Sequence, residues 1–199
     1  MNRAELKAAA KAQIKGHIGI LFLISLVVAL IGSLLNAIPA IGSIASMLIT
    51  PALSLSVVRI YLNLTKGVSP KVADSFGAVG DFWCAFKVNF FVGLFTSLWS
   101  LLLYIPGIIK ALSYSMALYI LAENPDMPAL EAIDRSKKMM DGHKMDLFVL
   151  YLSFIGWGLL CGITFGIAAI WVIPYMQATM TNAYNYLKPA APVAEVEAE

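Results

Sequence analysis

Nearly every charge in this chain is confined to three stretches, and the sequence between them is uncharged and apolar. Arg3, Lys7, Lys11 and Lys15 open the chain, and Arg59, Lys66, Lys71 and Lys87 mark the second stretch. Arg135, Lys137, Lys138 and Lys144 fill the third, and Lys188 follows the last apolar run. Lys110 alone lies between two apolar runs. Folding the runs back on themselves in pairs puts every other basic residue at one end. That distribution points to a bundle of membrane-crossing helices with its basic end in the cytoplasm, because cytoplasmic loops carry the excess of Lys and Arg.

Composition narrows the class further. Hydrophobic residues make up 60% of the chain and charged residues 13%, whereas soluble domains run at about 45–50% and about 25%. A formal charge of +2 is too small for a nucleic-acid partner, and no Lys/Arg block of that kind occurs. Cys84 and Cys161 fall at opposite ends of the predicted bundle, so no disulfide is expected.

The first apolar run, residues 18–35, is long enough to cross the hydrocarbon at 1.5 Å rise per residue. The basic segment before it is too long for a signal peptide's n-region and no A-x-A site follows, so the run reads as a retained helix. A turn at 36–42 returns the chain through residues 44–62. A second pair, 88–104 and 108–122, joins at Ile105-Pro106-Gly107, and a third, 147–160 and 167–187, joins around residues 162–166. Several runs are shorter than about 20 residues. They either span with help from flanking residues or dip and return. Residues 188–199, with two prolines and Glu195, Glu197 and Glu199, read as a disordered acidic tail.

Glu5, Asp74 and Glu131 each stand seventeen residues before a phenylalanine that enters an apolar run: Phe22, Phe91 and Phe148. Gly16-His17 and Gly142-His143 share one offset, as do Lys87 and Lys144. These matches lie in polar sequence, where composition does not force them. They divide one membrane domain, residues 1–187, into three units at about 1–66, 67–125 and 126–187. Each unit is an amphipathic cytoplasmic helix followed by a helical hairpin, so the predicted fold is all-α with about six membrane helices. In the third unit Asp126 is placed to cap, with Pro128 in the first turn. Ala129, Ile133, Ser136 and Met140 then share one face, and Glu131–Arg135 and Asp134–Lys138 pair on the other. In the first, Arg3, Lys7, Lys11 and Lys15 form a basic stripe opposite Leu6, Ala10 and Ile14. Two readings of that stripe stand: attraction to anionic headgroups, or a solvated face that only sets topology.

From Phe86 to Tyr186 the wording is specific. One block runs from Leu98-Trp99-Ser100 through Tyr104-Ile105-Pro106-Gly107 to Lys110, and another from Tyr114-Ser115-Met116 through Tyr119 to Glu123-Asn124-Pro125. Glu131-Ala132-Ile133, Met139-Met140, Ser153-Phe154-Ile155-Gly156-Trp157 and Pro174-Tyr175 follow. In combination these resemble a family of bacterial integral membrane proteins, domain-of-unknown-function family 975. The resemblance covers about the C-terminal two-thirds, and the first hairpin matches loosely. It implies a polytopic bacterial membrane protein and supplies no catalytic or binding residue.

Few residues are candidates for chemistry. Lys110 is the only isolated cation among apolar runs, and such residues mark ion or substrate paths unless, as its position after Pro106-Gly107 suggests, the side chain snorkels to the outer interface. His17 and His143 lack the further ligands that a zinc site needs. Asn89 and Asp146 fit helix caps, the alternative being a polar vestibule. Gly158, Gly162 and Gly166 recur every four residues, the small-xxx-small spacing of closely packed helices. No Walker loop, nucleophile–base set, H-E-x-x-H or intrahelical acid pair occurs, so neither an enzyme nor a cofactor is expected. The expected function is a non-catalytic protein of the bacterial plasma membrane that organises helices, lipids or partner proteins. Its partners would be membrane lipids with anionic headgroups, a second copy or another membrane protein, and no nucleic acid. The alternative is a small oligomeric transporter or channel. Both termini are expected in the cytoplasm. With Cys84 and Cys161 replaced, an Ala191→Cys variant in intact cells is therefore expected to resist membrane-impermeant thiol reagents and to label only after the cytoplasmic face is opened. Labelling from outside would reverse the topology.

Overall fold

The computed structural model describes residues 2–37, 41–102 and 104–188, and every regular element among them is helical. The first apolar hairpin is α2 (Ile18–Asn36) and α3 (Ile41–Thr65), preceded by α1 (Arg3–Ile14). Two 3₁₀ turns, Val72–Phe76 and Val79–Asp81, lead into α4 (Phe82–Leu102) and α5 (Tyr104–Tyr114). Then follow α6 (Ala117–Glu123), α7 (Ala129–Met139), α8 (Lys144–Leu152), α9 (Ile155–Ile163) and α10 (Ala169–Leu187). The expected tail lies almost wholly outside the described residues, as does the centre of the 36–42 turn.

Among the described residues five segments are long and apolar enough to cross a membrane: Ile18–Asn36, Ala45–Thr65, Val72–Leu101, Ile105–Glu123 and Lys144–Ile163. The sixth expected crossing, α10, is not among them. Gln177, Thr179, Thr181, Asn182 and Asn185 make its second half too polar. That half is buried instead: Ala178 through Tyr184 form an unbroken buried run. Its neighbours are α1, α2, α3 and α9.

Local chemistry explains where helices start and stop. Asn2 caps α1, its Oδ1 accepting the Ala4 N–H at 3.2 Å. Gly16 (φ +89°) and Gly142 (φ +76°) take the left-handed conformation that a side chain resists. Each is followed by a histidine in nearly the same geometry, His17 at φ −115°, ψ 3° and His143 at φ −112°, ψ 2°. The two Gly-His pairs therefore make one kind of turn, ending one helix and beginning the next.

The amphipathic reading of α7 is matched in detail. Ala129, Ile133, Ser136 and Met140 are buried, and the two i,i+4 ion pairs form at 2.8 Å (Arg135–Glu131) and 2.9 Å (Lys138–Asp134). Its start differs: Pro128 occupies the cap position itself and no side chain caps the helix. Ser136 links α7 to the break between α5 and α6. Its Oγ donates to the Ser113 carbonyl at 2.8 Å and accepts the Met116 N–H at 3.2 Å. A buried helix break needs such a partner, because unpaired buried backbone groups are costly.

The glycine expectation requires correction. Gly158, Gly162 and Gly166 are exposed, and a Cβ placed on any of them meets nothing within 4 Å. Four-residue spacing permits close helix approach but does not supply a second helix, and none covers this face of α9. Gly166 serves a turn, at φ +88° beside Phe165 at φ +51°. The close approach lies elsewhere. A Cβ on Gly107 would fall 2.9 Å from the Ser100 Cα, so the α4–α5 hairpin closes only because residue 107 has no side chain. Pro106 and Gly107, expected in the turn, belong to the first turn of α5, where proline's missing N–H costs nothing. Gly107→Leu is expected to reduce stability in detergent by about 1–3 kcal/mol, the usual cost of overpacking. Gly162→Leu is expected to match wild type. Paired thermal melts test this, and equal behaviour of the two variants would remove the assignment.

Candidate functional site

Among the described residues, five basic side chains line a cleft of about 810 Å³ where the ends of α3, α6 and α10 meet α7. The last turns of α3 contribute Arg59, Asn63 and Lys66, and the end of α6 contributes Glu123 and Asn124. From α7 come Arg135 and Lys138, and from the end of α10 Tyr184 and Lys188. Leu62, Ile120, Ala122 and Met139 supply an apolar portion of the wall.

Glu123 closes this end of the fold. Its Oε2 accepts from Tyr184 Oη at 2.7 Å and from Lys188 Nζ at 2.6 Å. The Tyr184 ring stacks on Tyr119, centroids 5.3 Å apart, and Asn185 Nδ2 donates to Thr65 Oγ1 at 3.1 Å. These contacts join the C-terminal ends of α3, α6 and α10. Sequence reasoning did not single Glu123 out. The available signal was a lone acid ending one apolar run and a lone lysine ending another.

Three of the other cations at the cleft have partners that do not line it. Arg59 Nη1 lies 2.7 Å from Asp81 Oδ2, while its Nη2 is buried without a hydrogen-bond partner among the described residues. Arg135 and Lys138 pair along their own helix with Glu131 and Asp134. The Lys138 hydrogen bond, reinforced by its charge, holds the Asp134 carboxyl below the ordinary aspartate range. Lys66 makes no direct ion pair among the described residues, though its field reaches Glu123. The cleft thus presents five cations and one carboxylate, an arrangement suited to holding an anion. No nucleophile stands beside a base in it.

The basic stripe of α1 divides. Leu6, Ala10 and Ile14 are buried, and Asn182 with Gln13 forms a reciprocal amide pair at 3.0 and 3.1 Å. Lys7 folds over the Phe154 ring at 4.5 Å from its centroid and donates to the Ser153 carbonyl at 3.4 Å. Burial, then the charges of Arg3 and Lys11, lowers the Lys7 pKa from the usual lysine value. Lys11 lies 5.6 Å from the Tyr175 centroid, and it and Lys15 border a small apolar hollow with Trp157 and Trp171. Arg3 is exposed and takes no part.

Lys110 does not line the cleft. Its ammonium sits 4.7 Å from the Trp99 ring centroid, across the α4–α5 hairpin, a cation–π contact that offsets part of the cost of an isolated charge. His17 and His143 do not meet. His143 Nδ1 is 3.5 Å from Asp146 Oδ2 in the first turn of α8, whereas Asn89 Nδ2 donates to the Ala85 carbonyl at 3.0 Å rather than capping α4. No three metal-ligating side chains converge among the described residues. Cys84 and Cys161 are free thiols.

Glu123→Ala is expected to lower stability by about 1–3 kcal/mol, since it leaves a charged and a phenolic donor without their acceptor. Lys188→Ala, which removes the more exposed partner (43% against 16%), is expected to cost less than about 1 kcal/mol. Thermal unfolding in one detergent distinguishes them, and an equal loss would remove Glu123 from its closing role.

A family model described as a protein of unknown function (DUF975) matches residues 1–113 and residues 101–191. No curated protein and no solved structure matches the chain.

Proposed function

The chain belongs to the DUF975 family of unknown function, a membership that brings no activity with it, and we propose that it is a non-catalytic bacterial plasma-membrane protein that organises helices, lipids or partner proteins. The observation that carries this reading is the kind of polar residue buried. Among the described residues the buried polar side chains, tyrosines aside, are Ser, Thr and Asn, with no Asp, Glu, Lys, Arg or His. Coupled transporters and pumps keep ionisable groups along their paths. Here the charges gather at one end, in line with a cytoplasmic face.

In this reading the chain crosses six times with both termini in the cytoplasm. Five crossings are apolar in their own right. α10 makes the sixth because Asn185 and Lys188 hold its C-terminus beside the ends of α3 and α6. A helix shielded by protein need not be apolar, and the polar half of α10 is the shielded half. The three-unit repeat belongs to the same proposal, and the matching Gly-His turns support it.

The alternative, a small oligomeric transporter or channel, has one observation in its favour: the buried polar groups of α10. Their bonds are already made within the fold. Thr179 Oγ1 donates to the Tyr175 carbonyl at 2.7 Å, Thr181 Oγ1 to the Gln177 carbonyl at 3.0 Å, and Asn182 pairs with Gln13. Purified protein in proteoliposomes is expected to show no ion or solute flux above empty vesicles, and Lys110→Gln to change neither that baseline nor stability by more than about 0.5 kcal/mol. A reproducible wild-type flux altered by Lys110→Gln would replace the organising role with transport, because charge near a constriction sets selectivity.

A further inference from the structure

The charge imbalance of the cleft asks for something more than topology. A positive-inside distribution places cations on one face, and scattered surface lysines would satisfy it. It does not require cations from α3, α7 and α10 to converge on one hollow while all but one of their acidic partners stay outside. The hollow, about 810 Å³, lies within the roughly 300–1,000 Å³ of small-molecule sites. We propose that it is a binding site for a phosphate-bearing ligand, either the headgroup of an anionic lipid or a soluble phosphorylated molecule.

The excess of five cations over one carboxylate favours a multivalent phosphate over a simple carboxylate. Two of the five cations are arginines, whose planar fork matches phosphate oxygens in a bidentate fashion. Arg59 spends one terminal nitrogen on Asp81 and leaves the other buried and without a partner among the described residues, an unmet donor on a side chain that lines the cleft. The pairs that hold Arg135 and Lys138 are exposed i,i+4 contacts, of the kind that water screens strongly, so both side chains exchange readily toward a multivalent anion. Lys66 needs no exchange, since it has no ion pair among the described residues to give up. Leu62 and Met139 add apolar wall against which a glycerol or acyl portion can rest.

The inference rests on the proposed membrane reading only in assigning the cleft to the cytoplasmic face. Full-length protein in nanodiscs exposes both faces, so binding there is independent of topology, which the thiol labelling reports separately. Two probes serve. Pyrophosphate is titrated calorimetrically into protein held in phosphatidylcholine discs, and lipid retention is read by native mass spectrometry from discs containing phosphatidylglycerol and phosphatidylcholine in equal amounts. At least one probe is expected to bind. Saturable pyrophosphate binding without phosphatidylglycerol enrichment assigns the site to soluble phosphates; phosphatidylglycerol enrichment assigns it to headgroups. The double variant Lys66→Gln/Arg135→Gln is expected to weaken the bound probe at least tenfold, while Arg3→Gln/Lys15→Gln, on α1, stays within twofold of wild type. The variant Glu131→Gln/Asp134→Asn, which releases Arg135 and Lys138 without removing a cation, is expected to tighten binding about threefold. Absence of binding by both probes overturns the proposal. So does equal weakening by the α1 variant, which would mean diffuse attraction to a basic face.

Discussion

The polar half of α10 has to be buried, and most of the structure can be understood as the means of burying it. Thr179, Thr181 and Asn182 are all inaccessible or nearly so. Buried polar groups are tolerable only when bonded. The two threonines bond back to their own helix, a local solution that any helix can provide. Asn182 is satisfied differently. Its amide is met by Gln13 and by the Leu6 carbonyl, which brings α1 from the opposite end of the chain onto α10. Tyr184, two residues further, extends the same packing to α6 through Tyr119 and Glu123. First and last helices are thereby joined, and the ends of α3 and α6 are drawn in beside them.

That gathering of helix ends also concentrates charge. The ion pairs at the basic end differ in what they contribute. Arg135–Glu131 and Lys138–Asp134 are solvent-exposed and weak, so they steer rather than stabilise. Glu123 is more enclosed and serves two donors at once, and its loss strands both. Lys110 is handled differently, by the face of Trp99. An aromatic face attracts a cation without placing a second charge in the apolar region.

Much of the fold was legible because its determinants are local. Period and pairing on α7 follow from 3.6 residues per turn, and Ile133, Ser136 and Met140 are buried as that period requires. The Gly-His turns at Gly16 and Gly142 follow from glycine's tolerance of positive φ. The glycine run of α9 misled for the complementary reason. Spacing describes one helix, whereas packing needs a second, and the chain places its second helix at Gly107 instead. Nothing local distinguishes those glycines. The cleft was half legible: its cations stood out as one side of a charge pattern, but their convergence, and Glu123 among them, did not.

The sequence by itself determined that the chain is helical and that it holds apolar runs long enough to cross a membrane, since hydrophobic length and glycine and proline punctuation act over a few residues to a few turns. Tertiary structure alone decided that α10 is buried rather than apolar, that Lys7 and Lys11 lie over aromatic rings instead of forming one open stripe, and that basic residues from Arg59 to Lys188 surround a common hollow. Those outcomes depend on which helices lie side by side. That choice is made by Asn182, Tyr184 and Glu123 finding partners far away in the chain, and a linear pattern does not record where such partners meet.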